Sequence, residues 1–187
     1  MRKIPALLAL ALVVSACGLQ MIPPAGEQGP QKEYSLPDLG AAPELANNTW
    51  LNVPAPLRLA ELRGKVVLLE MWTFDCINCR NVLPSLKAWH SEYAASGLVV
   101  IGNHYPEFSR EADLDNLKEA VSRLGIPYAV AQDNDGETWR AYHNQYWPTI
   151  YLVDKRGHLR YVHIGEGAYT ETEAAIRSLL AEPTPQG

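Results

Sequence analysis

Between Gly64 and Gly97 the hydrophobic pattern changes period once, and that change constrains the chain more than any other feature. Lys65 to Trp72 (KVVLLEMW) is a nearly continuous apolar run behind Gly64, the pattern of a strand buried on both faces. From Cys76 onward, Val82, Leu83, Leu86, Trp89, His90 and Tyr93 recur at helical spacing, and Ser96-Gly97 has the chemistry of a helix C-cap. A central strand thus hands over to a helix within a few residues.

The rest of the chain sets bounds. With 187 residues, 47% of them hydrophobic and 20% charged, it has the length of one ordinary domain plus tails. A domain over 34–182 is large enough to hold a core without a disulfide framework or structural metal, and three cysteines are too few for such a framework. Lys and Arg total 16 against 21 Asp and Glu, a formal −5, with no basic stripe, so nucleic acid is not an expected partner.

Residues 1–16 read as a signal peptide: Arg2 and Lys3 give a positive start, and Ile4 to Val14 is apolar apart from Pro5. That run is too short to span a hydrocarbon core, which takes roughly 20 helical residues. Val14-Ser15-Ala16-Cys17 resembles a bacterial lipobox, which implies lipidation of Cys17 and a membrane-anchored protein facing an extracytoplasmic space. Residues 17–33, rich in Pro, Gly and Gln, then read as a flexible tether, and 183–187 as a tail.

The other two cysteines lie at the handover from strand to helix, in Trp72-Thr73-Phe74-Asp75-Cys76-Ile77-Asn78-Cys79. A Cys-x-x-Cys pair can be structural, metal-binding or redox-active. As a structural bridge it closes too small a loop to restrain much chain entropy. A zinc site usually takes four protein ligands, and the five histidines, His90, His104, His143, His158 and His163, show no ligand spacing to complete one. At a helix N-terminus, by contrast, unpaired N–H groups and the helix dipole favour a thiolate. Cys76 is therefore expected to be the exposed nucleophile and Cys79 the resolving thiol, with no cofactor beyond their disulfide.

Glu70 is the anomaly of the strand, because a buried unpaired carboxylate is costly and responds by raising its pKa. Strand alternation puts it on one face with Leu68 and Trp72, below the cysteines, where it would take the proton of Cys79; pairing with a cation is the alternative. Asp75, just before the nucleophile, opposes the thiolate if it is ionised nearby. His104 ends the second central strand and is read first as a structural histidine, with proton transfer as its other role. Tyr146, Trp147 and Phe74 are candidates for an aromatic lip, and Glu166 reads as a loop residue.

On these residues the sequence resembles the thioredoxin superfamily, and within it the extracytoplasmic TlpA/ResA-like thiol:disulfide oxidoreductases and the C-terminal thioredoxin-like domain of DipZ-type proteins. The resemblance runs from about Tyr34 to Glu182. It rests on Glu70 six positions before Cys76, Trp72 four before it, Pro84 five after Cys79, and Trp147-Pro148-Thr149, which matches the cis-proline segment. It implies an α/β thioredoxin-like fold, a central mixed sheet flanked by helices, with Trp72, Phe74, Trp147, Pro148 and Thr149 against substrate. It further implies protein disulfides as substrates, apocytochrome c among them, reduction as the direction, and a CcdA-type membrane protein as electron donor. An oxidase or isomerase, a metal-binding chaperone and a noncatalytic adaptor are the alternatives. Ile77 and Asn78 between the cysteines depart from the Pro and His of better-known members, so no potential carries over.

The remaining elements follow from pattern. Leu98 to Asn103 reads as a buried parallel strand. Ala112 to Leu124 reads as an inserted helix and Tyr128 to Ala131 as a strand before the turn Asp133-Asn134-Asp135-Gly136. Thr149 to Asp154 and Leu159 to Ile164 form a hairpin. Thr170-Glu171-Thr172-Glu173 reads as a capping box opening a last helix. Asn48 to Asn52 and Leu57 to Leu59 are expected to form a small N-terminal hairpin.

Overall fold

Seven consecutive buried residues, Val66–Trp72, make the central strand (β2), and everything else is arranged about it. The computed structural model describes residues 35–185; the expected signal peptide, the expected lipidation at Cys17 and the expected tether lie outside the described residues. β1 (Thr49–Leu51) comes first. β2 is followed by α1 (Ile77–Tyr93), β3 (Leu98–His104), α2 (Leu114–Arg123), β4 (Ala129–Gln132), α3 (Glu137–Ala141), β5 (Thr149–Val153), β6 (Leu159–Ile164) and α4 (Tyr169–Ala181). The six strands form one sheet in the order β1-β4-β3-β2-β5-β6. β2 runs parallel to β3 and antiparallel to β5, so the sheet is mixed.

The apolar residues divide by strand parity. On one face Leu68, Trp72, Val100, Tyr128, Val130, Ile150 and Leu152 pack with α1, α2 and α4. On the other, Leu69, Met71, Ile101, Tyr151 and Val153 pack with Trp139 and Tyr142 around α3 and with Leu45 and Leu59. Glycine at position 102 permits one close approach: a Cβ there would lie 2.8 Å from Trp72 Nε1, so the indole crosses β3 only because that side chain is absent.

Three local expectations change. The N-terminal hairpin does not form: β1 pairs antiparallel with β4, with Thr49 opposite Gln132 and Leu51 opposite Val130, and Leu59–Leu62 is a 3-10 turn. Pro54 and Pro56 lie between the two segments and lack N–H groups for a ladder, while Asn52 Nδ2 donates to Ile126 O and Tyr128 O, both at 2.9 Å, and so ties β1 to the approach of β4. The capping box does not form either, because α4 starts at Tyr169 with Ala168 as N-cap. Its residues are used elsewhere: Glu173 accepts from the Tyr93 hydroxyl at 2.7 Å, and the Thr172 hydroxyl pairs with that of Tyr161 at 3.0 Å. The inserted helix begins at Leu114, capped by Asp113 Oδ1 on the N–H groups of Asp115 and Asn116 (3.0 and 2.9 Å), after a separate 3-10 turn, Ser109–Ala112. α3 was not anticipated.

Both ends of the domain meet at one arginine. Arg160 on β6 donates to the carbonyls of Leu36 and Pro37 (each 2.8 Å), to Asp154 Oδ2 (2.9 Å) and to Glu182 Oε1 (2.8 Å). Asp154 follows β5, at the opposite end of that strand from Thr149.

Candidate functional site

β2 ends at Trp72, and four residues later α1 begins with Cys76 as its N-cap. The turn between them is short because Cys76 N donates to Thr73 O (3.3 Å) and Arg80 N donates to Cys76 O (3.1 Å). Cys76 Sγ accepts the N–H of Cys79 at 3.2 Å, so the sulfur satisfies one of the free donors of the first helical turn. Both cysteines are free thiols; Cys76 is half-buried and Cys79 fully buried. The pair therefore has an accessible member and a protected one, as the spacing implied.

Beneath it, Glu70 is completely buried, and neither carboxylate oxygen has a hydrogen-bond partner. No cation pairs with it among the described residues. Burial pushes its pKa well above the usual carboxylate value. Burial, then the charge of Glu70 and the neighbouring Cys76, push the Cys79 thiol up in turn. Tyr128 on the edge of β4 shares this compartment: its hydroxyl is also buried without a partner, and burial, Glu70 and Cys79 raise it. Chemically this is a protected thiol beside a carboxyl group whose burial raises its proton affinity, so that its carboxylate form is a strong acceptor for the proton of the sulfur.

Trp147-Pro148 is a cis peptide, and Thr149 pairs with Met71 at the cysteine end of β2. Thr149 Oγ1 donates to Tyr146 O (2.8 Å) and Pro148 O accepts from Gly165 N (2.8 Å). Trp147 does not stand free: its ring packs at a tilt on Trp139 (centroids 4.6 Å apart) and stacks on Tyr105 (5.9 Å). Phe74 is buried and stacked on His104 at 5.3 Å, and Trp72 meets the same imidazole edge-on at 5.3 Å. Of the expected lip of Tyr146, Trp147 and Phe74, Phe74 is thus corrected to a core residue, and Trp72, expected against substrate, is buried as well, because both pack on His104. The exposed apolar residues nearby in sequence are Ile77, between the cysteines, and Tyr146.

His104 is fully buried, and that burial lowers its pKa to about 4, with Glu111 opposing. Its Nε2 lies 3.2 Å from Thr73 Oγ1, so it is a neutral element of the turn's support. Asp75 forms an ion pair with Arg110 (2.6 Å). Glu166 accepts from Asn81 on α1 at 3.0 Å. Thr73, Tyr128, Arg110 and Glu111 were not singled out from sequence. Glu111 reaches Asp75 across 36 positions, a distance over which no local pattern signals contact.

Comparison with known proteins agrees with this geometry. The AhpC/TSA family matches residues 40–162. Protein DipZ of Mycobacterium bovis is 44% identical over 153 residues, covering 80% of this chain and 22% of DipZ; the chain thus spans about a fifth of that relative's length. The thiol-disulfide oxidoreductase YkuV of Bacillus subtilis is 28% identical over 142 residues, 75% of this chain and 94% of YkuV. A crystal structure of a thioredoxin-like superfamily protein aligns with a TM-score of 0.73 at 29% identity, over 78% of this chain and 99% of that one. With its mixed six-stranded sheet and a cysteine pair at the N-terminus of α1, the chain belongs to the AhpC/TSA family and has the thioredoxin-like fold.

Proposed function

We propose that the chain is a thiol:disulfide oxidoreductase of the TlpA/DsbE type that reduces protein disulfides outside the cytoplasm. The observation that carries this reading is the asymmetric pair itself: Cys76 half-exposed at the helix N-cap, Cys79 buried against Glu70. In the reductive direction the Cys76 thiolate attacks a client disulfide, forming a mixed disulfide and releasing one client thiolate. Glu70 in its carboxylate form takes the Cys79 proton, the Cys79 thiolate attacks Cys76 Sγ, and the second client thiolate leaves. Two electrons pass to the client, and Cys76–Cys79 becomes the disulfide. The cis segment Trp147-Pro148-Thr149, beside the end of β2, is the surface proposed to hold the client chain by backbone pairing.

The sequence before residue 34 supports lipidation at Cys17 and membrane attachment. Attachment outside the cytoplasm requires electrons to cross the membrane, for which a CcdA-type thiol transporter is the proposed donor. Cytochrome c precursors and wrongly bridged proteins are the proposed clients.

The test is titration of the Cys76–Cys79 couple in the full-length protein against a dithiothreitol or glutathione series, read by thiol alkylation. A midpoint near or below roughly −250 mV supports the reductive role, whereas roughly −180 to −120 mV moves the assignment to oxidation or isomerisation. Failure to form a reversible disulfide overturns the redox reading.

A further inference from the structure

The segment that delivers Cys76 is gripped from outside the strand-helix unit, by two side chains of the 3-10 turn Ser109–Ala112. Glu111 is fully buried. Its Oε1 accepts the N–H of Asp75 at 3.2 Å, and its Oε2 accepts those of Glu107 and Phe108 at 2.7 and 2.8 Å. Burial alone would push this carboxyl up, but the Thr73 hydroxyl and the N–H groups of Phe108, Glu107 and Asp75 outweigh it and hold the pKa below the usual value. An ionised carboxylate tolerates such burial only while its donors stay in place, so the 3-10 turn and the 73–75 segment act as one rigid piece.

Arg110 adds a second grip, with its Nη2 2.6 Å from Asp75 Oδ2. Asp75 is adjacent in sequence to Cys76, and a carboxylate so close disfavours the thiolate. A guanidinium on that carboxylate offsets the penalty. The other charged or titratable groups around this turn include Glu107 and Asp113 on either side of the 3-10 turn, Cys79 and Arg80 on α1, Glu166 bonded to Asn81, and Glu70 and His104 on the strands beneath.

We propose that Ser109–Ala112 is a positioning clamp for the nucleophile: Glu111 fixes the backbone that leads to Cys76, and Arg110 masks the charge of Asp75 so that the Cys76 thiolate forms beside a neutralised neighbour. The inference rests on the reading of Cys76 as the attacking thiol. It assigns a function to the 3-10 turn that precedes the inserted helix α2.

The clamp is tested by following iodoacetamide alkylation of Cys76 against pH at low ionic strength in the full-length chain, with the modified site read by mass spectrometry. Arg110→Ala is expected to move the midpoint of that profile up by roughly 0.5–1 pH unit, a roughly three- to tenfold loss of rate below the midpoint. Adding Asp75→Asn is expected to abolish the displacement. Glu111→Gln is expected to slow disulfide exchange about tenfold even above the midpoint, without moving the midpoint up, since removal of a negative charge cannot disfavour a thiolate. An unmoved midpoint in Arg110→Ala, a displacement that survives Asp75→Asn, or undiminished exchange in Glu111→Gln overturns the proposal. Arg110 is solvent-exposed, so its arm decides the matter even if Glu111→Gln fails to fold. Alkylation needs no redox partner: a wild-type chain that exchanges no disulfide sinks the oxidoreductase reading, while the profile still decides the clamp.

Discussion

Glu70 on β2 raises the proton affinity of the Cys79 thiol on α1, and it does so from a fully buried position where neither of its oxygens has a hydrogen-bond partner. Burial raises the proton affinity of the carboxyl as well. The Glu70 carboxylate, when it forms, is therefore a strong proton acceptor beside a thiol that must lose its proton before it attacks.

Glu70→Gln separates the chemical from the structural effect. The folded pKa of Glu70 lies above its usual value of 4.5, so the folded state binds this proton more tightly and the group's ionisation opposes folding as pH rises above about 4.5. The variant is expected to gain stability relative to wild type as pH rises from about 4 to about 8. Urea denaturation at the two pH values measures this, and rapid-mixing kinetics are expected to show slower release of the mixed disulfide.

Replacing one cysteine at a time distinguishes the two thiols. With Cys79→Ser the Cys76 thiol attacks but nothing resolves the adduct, so mixed disulfides with client proteins accumulate and are visible on non-reducing gels. Cys76→Ser is expected to trap none, because Cys79 is fully buried. Trapping through Cys79 instead would reverse the assignment.

His104 makes the fold acid-sensitive. Its pKa is about 4 when folded, against 6.5 for an unperturbed imidazole, so the unfolded chain takes up a proton that the folded one refuses. Its contribution is complete above about pH 6.5 and is lost as pH falls toward 4, by up to about 3 kcal/mol. In His104→Gln the slope of stability against pH over that window is expected to flatten by up to one proton; an unchanged slope would assign the acid sensitivity elsewhere.

Arg160→Ala tests the junction of the chain ends. The Asp154 carboxylate is inaccessible and bound by both Arg160 and Arg156, at 2.9 Å each. Loss of Arg160 leaves Arg156 as its one cation, beside the N–H groups of Arg156 and His158, and frees the Leu36 and Pro37 carbonyls, an expected cost of about 2–4 kcal/mol. Thermal unfolding gives the loss directly. Limited proteolysis is expected to cut first near residues 36–40.

What could be read in advance was what depends on neighbours in sequence. The period change at Trp72 located β2 and α1, and Trp147-Pro148-Thr149 marked the cis bond through likeness to a family. The acid in the strand located Glu70. Parity put it under the cysteines, and the sheet places it on the face that also carries Leu68 and Trp72. The failures share one cause, competition from distant partners. β1 was paired with the wrong segment because its ladder lies some 80 residues on, at Val130 to Gln132. Thr172 and Glu173 looked like cap residues until Tyr161 and Tyr93 claimed them. Phe74 looked like a surface aromatic because nothing local reveals that His104 lies flat against it. Glu111 bonds locally to the N–H groups of Glu107 and Phe108, but its bond to Asp75 N spans 36 positions and no periodicity signals it.

The position of Arg160 also sets the bearing of the whole domain. It grips Leu36, Pro37 and Glu182 beside Asp154, at the far end of β5 from the cis proline, so the chain enters the domain at the pole opposite the thiols. The first described residues and the last helix are thus secured together at one end of the sheet, which leaves the Cys76 rim at the other end clear of both.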